Sequence, residues 1–478
     1  MTNRFRFDGV VARRSVAQLA MLALPLTVAC NADQILDVED IDVASPGSVS
    51  DPAALPAVLA GAIGDFGVAY NGGGDFNQIT VSGQLADELY NTETFPTRIE
   101  NDQRKQQYQS NGSLQNLFYA THQARASADR ASSAYISLDK ANEVGLAEAL
   151  NLSALAYIIL AENYCNAVPI STANPDGSFT YGPALTTTQL LDVAIAKADS
   201  ALANATAAGG VGSAAKRTEQ ARLARVVKAR ALLDQNKPAE AAAAIGGEAG
   251  VPTTFQYTYT HSETTGRQNN GTWGVTVSVA RFGVPDREGI NGLPFQSEGN
   301  VAGTVKDPRV ANVLRGGNGR GFDNSTTQYM QQKYPARASN VVIADGVEAR
   351  LIEAEAALRA GNPAGALATL NALRSDDALL TLRGYAAGSL PALTLAATPE
   401  AQVDQLFKER AYWLFLTSHR LGDLRRLIRQ YNRGAESVFP TGNYHKSGTY
   451  GSDVNSPIPQ AEDNNPNFDR AGCVTTQA

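Results

Sequence analysis

At 478 residues the chain exceeds the roughly 250–300 residues at which a single core stops growing, so one elaborate domain or two merged ones is expected. Hydrophobic residues make up 43% and charged residues 18%, an ordinary globular composition with enough apolar surface for a large core. A net charge of −7, with no run of more than two adjacent basic residues, argues against nucleic-acid binding and against electrostatic docking on anionic lipid.

The N-terminus reads as an address. Arg4, Arg6, Arg13 and Arg14 precede an apolar run from Val16 to Ala29, broken only by Gln18, Pro25 and Thr27. A basic head, a short apolar segment and a small residue at its end describe an export signal over residues 1–29. The run is short for a spanning helix, and no later stretch approaches ~20 uninterrupted apolar residues. Leu26-Thr27-Val28-Ala29-Cys30 resembles a bacterial lipobox. Cleavage there would make Cys30 the first residue of a mature chain 30–478 and attach acyl chains to it, each buried methylene contributing ~0.8 kcal/mol of anchoring. In an oxidising compartment the remaining cysteines, Cys165 and Cys473, either pair, stapling the tail to a helix, or stay as two buried thiols.

Helical apolar spacing runs from Phe118 to Tyr135, from Gly145 to Tyr164 and from Thr188 to Leu202. An internal repeat follows at a constant register of 125 residues. Ala224-Arg225-Val226-Val227 matches Ala349-Arg350-Leu351-Ile352, Leu233 matches Leu358, and Pro238-Ala239 matches Pro363-Ala364. Each copy reads as helix, tight turn, helix. In the second, Gly361 ends one helix, Asn362 caps the next, and Pro363 takes the first position, where its missing N–H costs nothing. This is the logic of a tetratricopeptide-like hairpin. Between the copies, Thr253 to Gly321 is rich in Gly, Asn, Thr and aromatics. Gln256 to Thr260 and Trp273 to Val277 alternate as short strands do, and Asn269-Asn270-Gly271 signals a turn. Thr398-Pro399-Glu400 opens a further helix. The expected plan is one mostly α domain: a frame over about 50–250 and 340–435, an irregular, partly β, loop-rich insertion over about 251–340, and a tail over 436–478. Binding usually resides in loops on such a rigid frame.

Several segments, in order, resemble the SusD/RagB family. Lys408-Glu409-Arg410 and then His419-Arg420-Leu421-Gly422-Asp423-Leu424-Arg425-Arg426 resemble its glutamate–arginine and HRWFDLRR helix, with Leu421-Gly422 in place of the aromatic pair. Pro457-Ile458-Pro459, Glu462 and Asn465-Pro466-Asn467 resemble its C-terminal PIP…E…NPN pattern. Asp307-Pro308-Arg309 resembles its DPR, and Val168-Pro169 its early VP. The resemblance implies a helical fold of four tetratricopeptide-like units, lipid-anchored on the outer face of the outer membrane. It also implies a TonB-dependent barrel transporter as partner, oligosaccharide or peptide ligands, no cofactor and no catalysis.

The conspicuous charges Glu409, Arg410, Arg420, Asp423, Arg425 and Arg426 read best as bidentate pairs between packed helices. As an acid/base pair, Glu409 and Asp423 would stand ~21 Å apart on one unbroken helix. His122, His261, His419 and His445 have no ligand spacing to one another, so no metal site is expected. Carbohydrate recognition combines ring faces with planar polar groups. Candidate ligand residues are Tyr70 and Phe76, flanking a Gly-rich loop; Asp87, Glu88, Tyr90, Phe95 and Arg98; and Trp273, Arg281, Phe282, Phe295 and Gln296. Trp273 either stacks on a sugar or plugs a small core beneath its loop. The competing functions are a glycoside hydrolase of helical architecture, which requires paired carboxylates in an aromatic cleft, and a protein-binding scaffold.

Overall fold

Helices form where alanine and leucine runs meet capping residues. The computed structural model describes residues 51–74, 76–174, 178–300 and 306–478. The export signal, Cys30 and Asp75 lie outside the described residues. Eight helices make the first part of the frame: α1 Leu55–Asn71, α2 Gln78–Leu85, α3 Pro96–Asp102, α4 Gly112–Ser137, α5 Val144–Asn163, α6 Thr187–Thr206, α7 Ala214–Asp234 and α8 Pro238–Ile245. After the insertion come α9 Gly346–Arg359, α10 Pro363–Ser375, α11 Asp377–Leu382, α12 Pro399–Trp413 and α13 Arg420–Tyr431. The long helices stack in sequence order, α4 on α5, α5 on α6, α6 on α7 and α7 on α8, and α8 then meets α9.

At the centre lies α5, apolar on all sides and buried except at Val144 and Leu150. Its length and apolarity would suit a membrane span. Here α4, α6 and α7 cover it. Its few polar side chains are paired: Asn151 donates to Gln220 Oε1 (3.0 Å), Ser153 to Asp129 (2.6 Å), and Asn163 Oδ1 accepts from Gln78 (2.8 Å).

The sequence repeat is a structural repeat. α7 and α9 end at Asp234 and Arg359, and α8 and α10 begin at Pro238 and Pro363. Between them Asn236 and Gly361 both take left-handed backbone, φ 62° and 76°. Asn362 caps α10 by accepting from Gly365 N at 2.9 Å.

In the insertion, β2 Gln256–Tyr259 pairs antiparallel with β6 Val341–Asp345, as its alternation predicts. The second expected strand is not one. Trp273 lies in a short helix, Gly271–Trp273, and residues Gly274–Ser278 continue it as one π turn. Asn270, read as part of a turn, accepts from Trp273 N (2.8 Å) as an N-cap, and the Thr276 hydroxyl donates back to Thr272 O (2.6 Å). Local capping and burial override the alternating pattern.

The second half of the frame is held by buried ion pairs. Arg410 grips Asp423 with two bonds (2.8 and 2.9 Å), and Arg426 bridges Asp423 (2.7 Å) and Glu355 (2.5 Å). Arg309 and Arg374 share Glu409, both at 2.7 Å. Arg230 clasps Glu348 with two bonds of 2.7 Å. Glu409 and Asp423 are not on one helix, because α12 stops at Trp413 and the chain turns through Leu416 and Ser418, both at positive φ, before α13. That turn is clasped by the Asp87–Glu88 pair after α2. Asp87 accepts from Arg420 (2.6 and 2.9 Å), and Glu88 accepts from Leu416 N (2.8 Å). Cys165, just past α5, and Cys473 in the tail form a disulfide with Cα atoms 5.0 Å apart, and Ile458 of the tail is fully buried.

Two stability predictions follow from these pairs. Burial alone would raise the carboxyls, but Arg230 and His419 draw Glu348 down to about 2, and Arg410 and Arg426 draw Asp423 far below its usual range. Folded values below unfolded ones give stability that is present at neutral pH and lost as pH falls below about 4.5 towards 2. Asp423→Ala leaves two buried guanidiniums short of a partner and is expected to cost roughly 3–5 kcal/mol, read by urea denaturation at pH 7, and to flatten part of the acid limb. A loss below about 1 kcal/mol would match a surface pair instead. Glu88 behaves oppositely. Burial pushes it up to about 8, against the Leu416 N–H and the charges of Arg420 and Lys333. A raised folded value means that stability falls as pH rises from about 4.5 to 8. Glu88→Gln keeps an acceptor for Leu416, so the variant should match the wild type at pH 5 and exceed it in urea at pH 8.5; equal stability at both would refute a buried ionising carboxyl.

A candidate ligand cleft beside the insertion

Three segments are knitted by backbone bonds at one edge of the frame. β1 Tyr90–Asn91 pairs with β3 Phe282–Gly283. Thr92 N donates to Arg281 O (2.8 Å), Phe322 N to Ala280 O (2.9 Å) and Asp323 N to Thr92 O (3.0 Å). Phe322 and Asp323 belong to the tip of the hairpin joining β4 Asn312–Leu314 to β5 Tyr329–Gln331. Gly321 is required there, because a Cβ would strike the Thr92 side chain. Buried Gln328 locks the crossing by donating to Phe282 O (2.6 Å) and accepting from the Thr92 hydroxyl (2.5 Å).

This crossing aligns rings and guanidiniums. Glu93, fully buried, accepts two bonds of 2.8 Å from Arg98 and another from Arg281. Arg98 lies over the Phe76 and Phe95 rings (5.1 and 4.5 Å), and Arg281 over Phe95 and Phe322 (5.3 and 4.4 Å). The result is a ladder Phe76–Arg98–Phe95–Arg281–Phe322 above one buried carboxylate. Its two outward rings, Phe95 and Phe322, are each 47% exposed. Guanidiniums held flat on rings by a desolvated anion are preorganised, and the rings lose little entropy when something stacks on them.

Beside the ladder opens a polar cleft of about 790 Å³, lined by Tyr90, Glu93, Arg320, Asp323, Thr326, His445 and Lys446 among others. Lys446 pairs with Asp323 and donates to Glu93 O (2.8 Å). Burial would raise the Asp323 carboxyl, but bonds from Lys446, Thr326 and Ser325 hold it well below the usual range. Tyr90 donates to Thr327 O and meets the His445 ring edge to face, centroids 5.1 Å apart. The cleft thus offers ring faces and fixed donors and acceptors, the chemistry of a polyhydroxylated ligand.

The structure divides the sequence candidates. Tyr90, Phe95, Arg98 and Arg281 meet at this site, with Phe76 half-buried behind them. Five others are in the interior. Tyr70 donates to Thr417 O (2.8 Å), Asp87 and Glu88 hold the α12–α13 turn, Phe282 is core, and Phe295 packs on Tyr412 and Phe415. Their side chains are committed to the frame and present nothing to a ligand. Gln296 lies half-buried in a short helix, Phe295–Gly299. Trp273 is half-buried against the main core, with Arg337 5.4 Å over its ring. Sequence reasoning missed Glu93, Arg320, Phe322, Asp323, His445 and Lys446. The Gly-rich stretch before Phe322 reads as a loose loop, and no spacing links residues 93, 322 and 446.

No family model matches the sequence, and no curated protein matches it. Solved structures do. A SusD-like carbohydrate binding protein from Bacteroides fragilis NCTC 9343 aligns at 17% identity over 88% of this chain and 99% of its own, TM-score 0.60. Surface glycan-binding protein A from Bacteroides uniformis aligns at 15% identity over 88% and 99%, TM-score 0.60. A SusD/RagB family protein from Bacteroides thetaiotaomicron VPI-5482 aligns at 14% identity over 86% and 94%, TM-score 0.60. Matched over nearly the whole length of those chains, this protein has the SusD/RagB fold.

Proposed function

We propose that this protein is a SusD-type surface lipoprotein that captures oligosaccharides in the cleft beside Phe95 and Phe322 and delivers them to a TonB-dependent barrel in the outer membrane. The observation that carries the reading is the exposed ring–guanidinium ladder beside a polar cleft, on a frame shared with proteins described as glycan binders. Stacking on Phe95 and Phe322 would take the apolar face of a sugar, while Arg320, Asp323 and Lys446 meet its hydroxyls. The lipobox at Cys30 supplies the anchor, and the Cys165–Cys473 disulfide suits an exported chain. The order of the family-like motifs supports membership as well as fold. Arg309 of Asp307-Pro308-Arg309, Glu409, Arg410 and Asp423 are the residues that form the buried pairs.

A hydrolase needs one protonated and one ionised carboxyl flanking the scissile bond. In the cleft, Glu93 is clamped between two guanidiniums and Asp323 is held ionised by Lys446. That arrangement favours binding over turnover.

Calorimetric titration of the chain beginning after Cys30 with neutral oligosaccharides and with peptides tests the reading. Saturable binding to an oligosaccharide is expected in the micromolar range or weaker, a free energy of about −8 kcal/mol or less negative, with no new reducing ends. Phe95→Ala and Phe322→Ala should each weaken it about 3- to 10-fold, the usual worth of one ring contact, without changing the melting temperature. Release of reducing ends, saturation by peptides alone, or full affinity in the double variant would contradict it.

A further inference from the structure

Behind the cleft wall, three segments distant in sequence converge. Asp102 ends α3, Glu288 lies in the loop after β3, and His445 sits in a tail hairpin closed by the Asn443–Thr449 bridge. One ligand-competent atom from each lies within 4.8 Å of the other two.

The hydrogen bonding around this trio is lopsided. Asp102 and Glu288 are 0% and 6% exposed. One oxygen of each is satisfied from outside. Asp102 Oδ2 accepts from Asn91 N (3.0 Å) and the Tyr444 hydroxyl (2.6 Å), and Glu288 Oε1 accepts from the Tyr450 hydroxyl (3.0 Å). The other oxygens, Asp102 Oδ1 and Glu288 Oε2, are buried with no hydrogen-bond partner. The nearby Arg104 guanidinium is directed elsewhere, to Asp453 O, Pro440 O and Glu436. The Asp102 and Glu288 carboxyls also face each other, and a buried pair of this kind must share a proton or meet a cation that displaces it.

His445 completes the set. Its Nε2 lies 2.8 Å from Asn91 O. A carbonyl oxygen only accepts, so Nε2 is the donor there and Nδ1 is the nitrogen left to face a ligand. A metal-bound imidazole is held this way, one nitrogen free to coordinate and the other N–H fixed by a carbonyl. The tyrosines stand to the carboxylates as such outer partners do.

We propose that Asp102, Glu288 and His445 bind a divalent transition metal of the Zn²⁺ type. One imidazole nitrogen with two carboxylate oxygens suits zinc, whereas calcium takes six to eight oxygens. The site is independent of the ligand the cleft takes. Its effect is mechanical: the ion ties the hairpin bearing His445 and Lys446 to α3 and the Glu288 loop, and so fixes one wall of the cleft. Histidine spacing cannot reveal such a site, because its three donors come from separate regions of the chain.

The test uses the untagged chain beginning after Cys30, stripped with EDTA, desalted, incubated with zinc chloride and desalted again. Elemental analysis should find about one zinc per chain, and the melting temperature should rise on zinc addition and fall back with EDTA. His445→Ala should lose both the retained zinc and the zinc-dependent shift, each read against that variant's own metal-free melting temperature. Glu288→Gln should lose the zinc as well. No retained zinc in the wild type, retention of calcium in preference to zinc, or equal zinc in wild type and His445→Ala would each overturn the proposal.

Discussion

A buried charge must find a counter-charge, and in this protein that requirement determines how the two parts of the frame meet. Asp423 receives Arg410 from the preceding helix and Arg426 from its own, while Arg426 also reaches Glu355 in the repeat hairpin. Arg309, from the loop-rich insertion, ends on Glu409. Arg230 in one repeat copy and Glu348 in the other join the two hairpins directly. Apolar contacts alone would tolerate sliding of these helices. Bidentate guanidinium–carboxylate geometry does not, since a displaced pair leaves desolvated charge uncompensated. The conspicuous charged motif of the sequence therefore belongs to assembly rather than chemistry.

The same device recurs at the cleft on a smaller scale. Glu93 is buried so that Arg98 and Arg281 must converge on it, and their flat faces then space the rings of Phe76, Phe95 and Phe322. Rigid helices carry the crossing of β1, β3 and the β4–β5 hairpin, and the loops supply the exposed groups. A site of this kind binds by presenting preformed faces, which limits the entropy lost on association.

Much of the frame was legible in the sequence because helices are local. The 125-residue repeat foretold matching helix ends at Asp234 and Arg359, and Asn362-Pro363 foretold its own cap. The site was legible only in part. Tyr90, Phe95, Arg98 and Arg281 were found because aromatic and planar residues cluster near them in sequence. Asp87, Glu88 and Phe295 satisfied the same criterion yet are interior, since loop composition carries no information about depth. Trp273 misled on conformation because Asn270 caps a helix as readily as it opens a turn. Phe322, Asp323 and Lys446 were invisible because their proximity to Glu93 is created by long-range pairing alone.

The most direct test of a sugar-binding cleft on a rigid frame is hydrogen exchange with and without a saturating oligosaccharide. Added protection is expected at residues 90–99, 280–283, 320–327 and 443–449, with the long helices of the frame unchanged. Protection centred on the Trp273 region, or spread along the helical hairpins without the cleft segments, would contradict it.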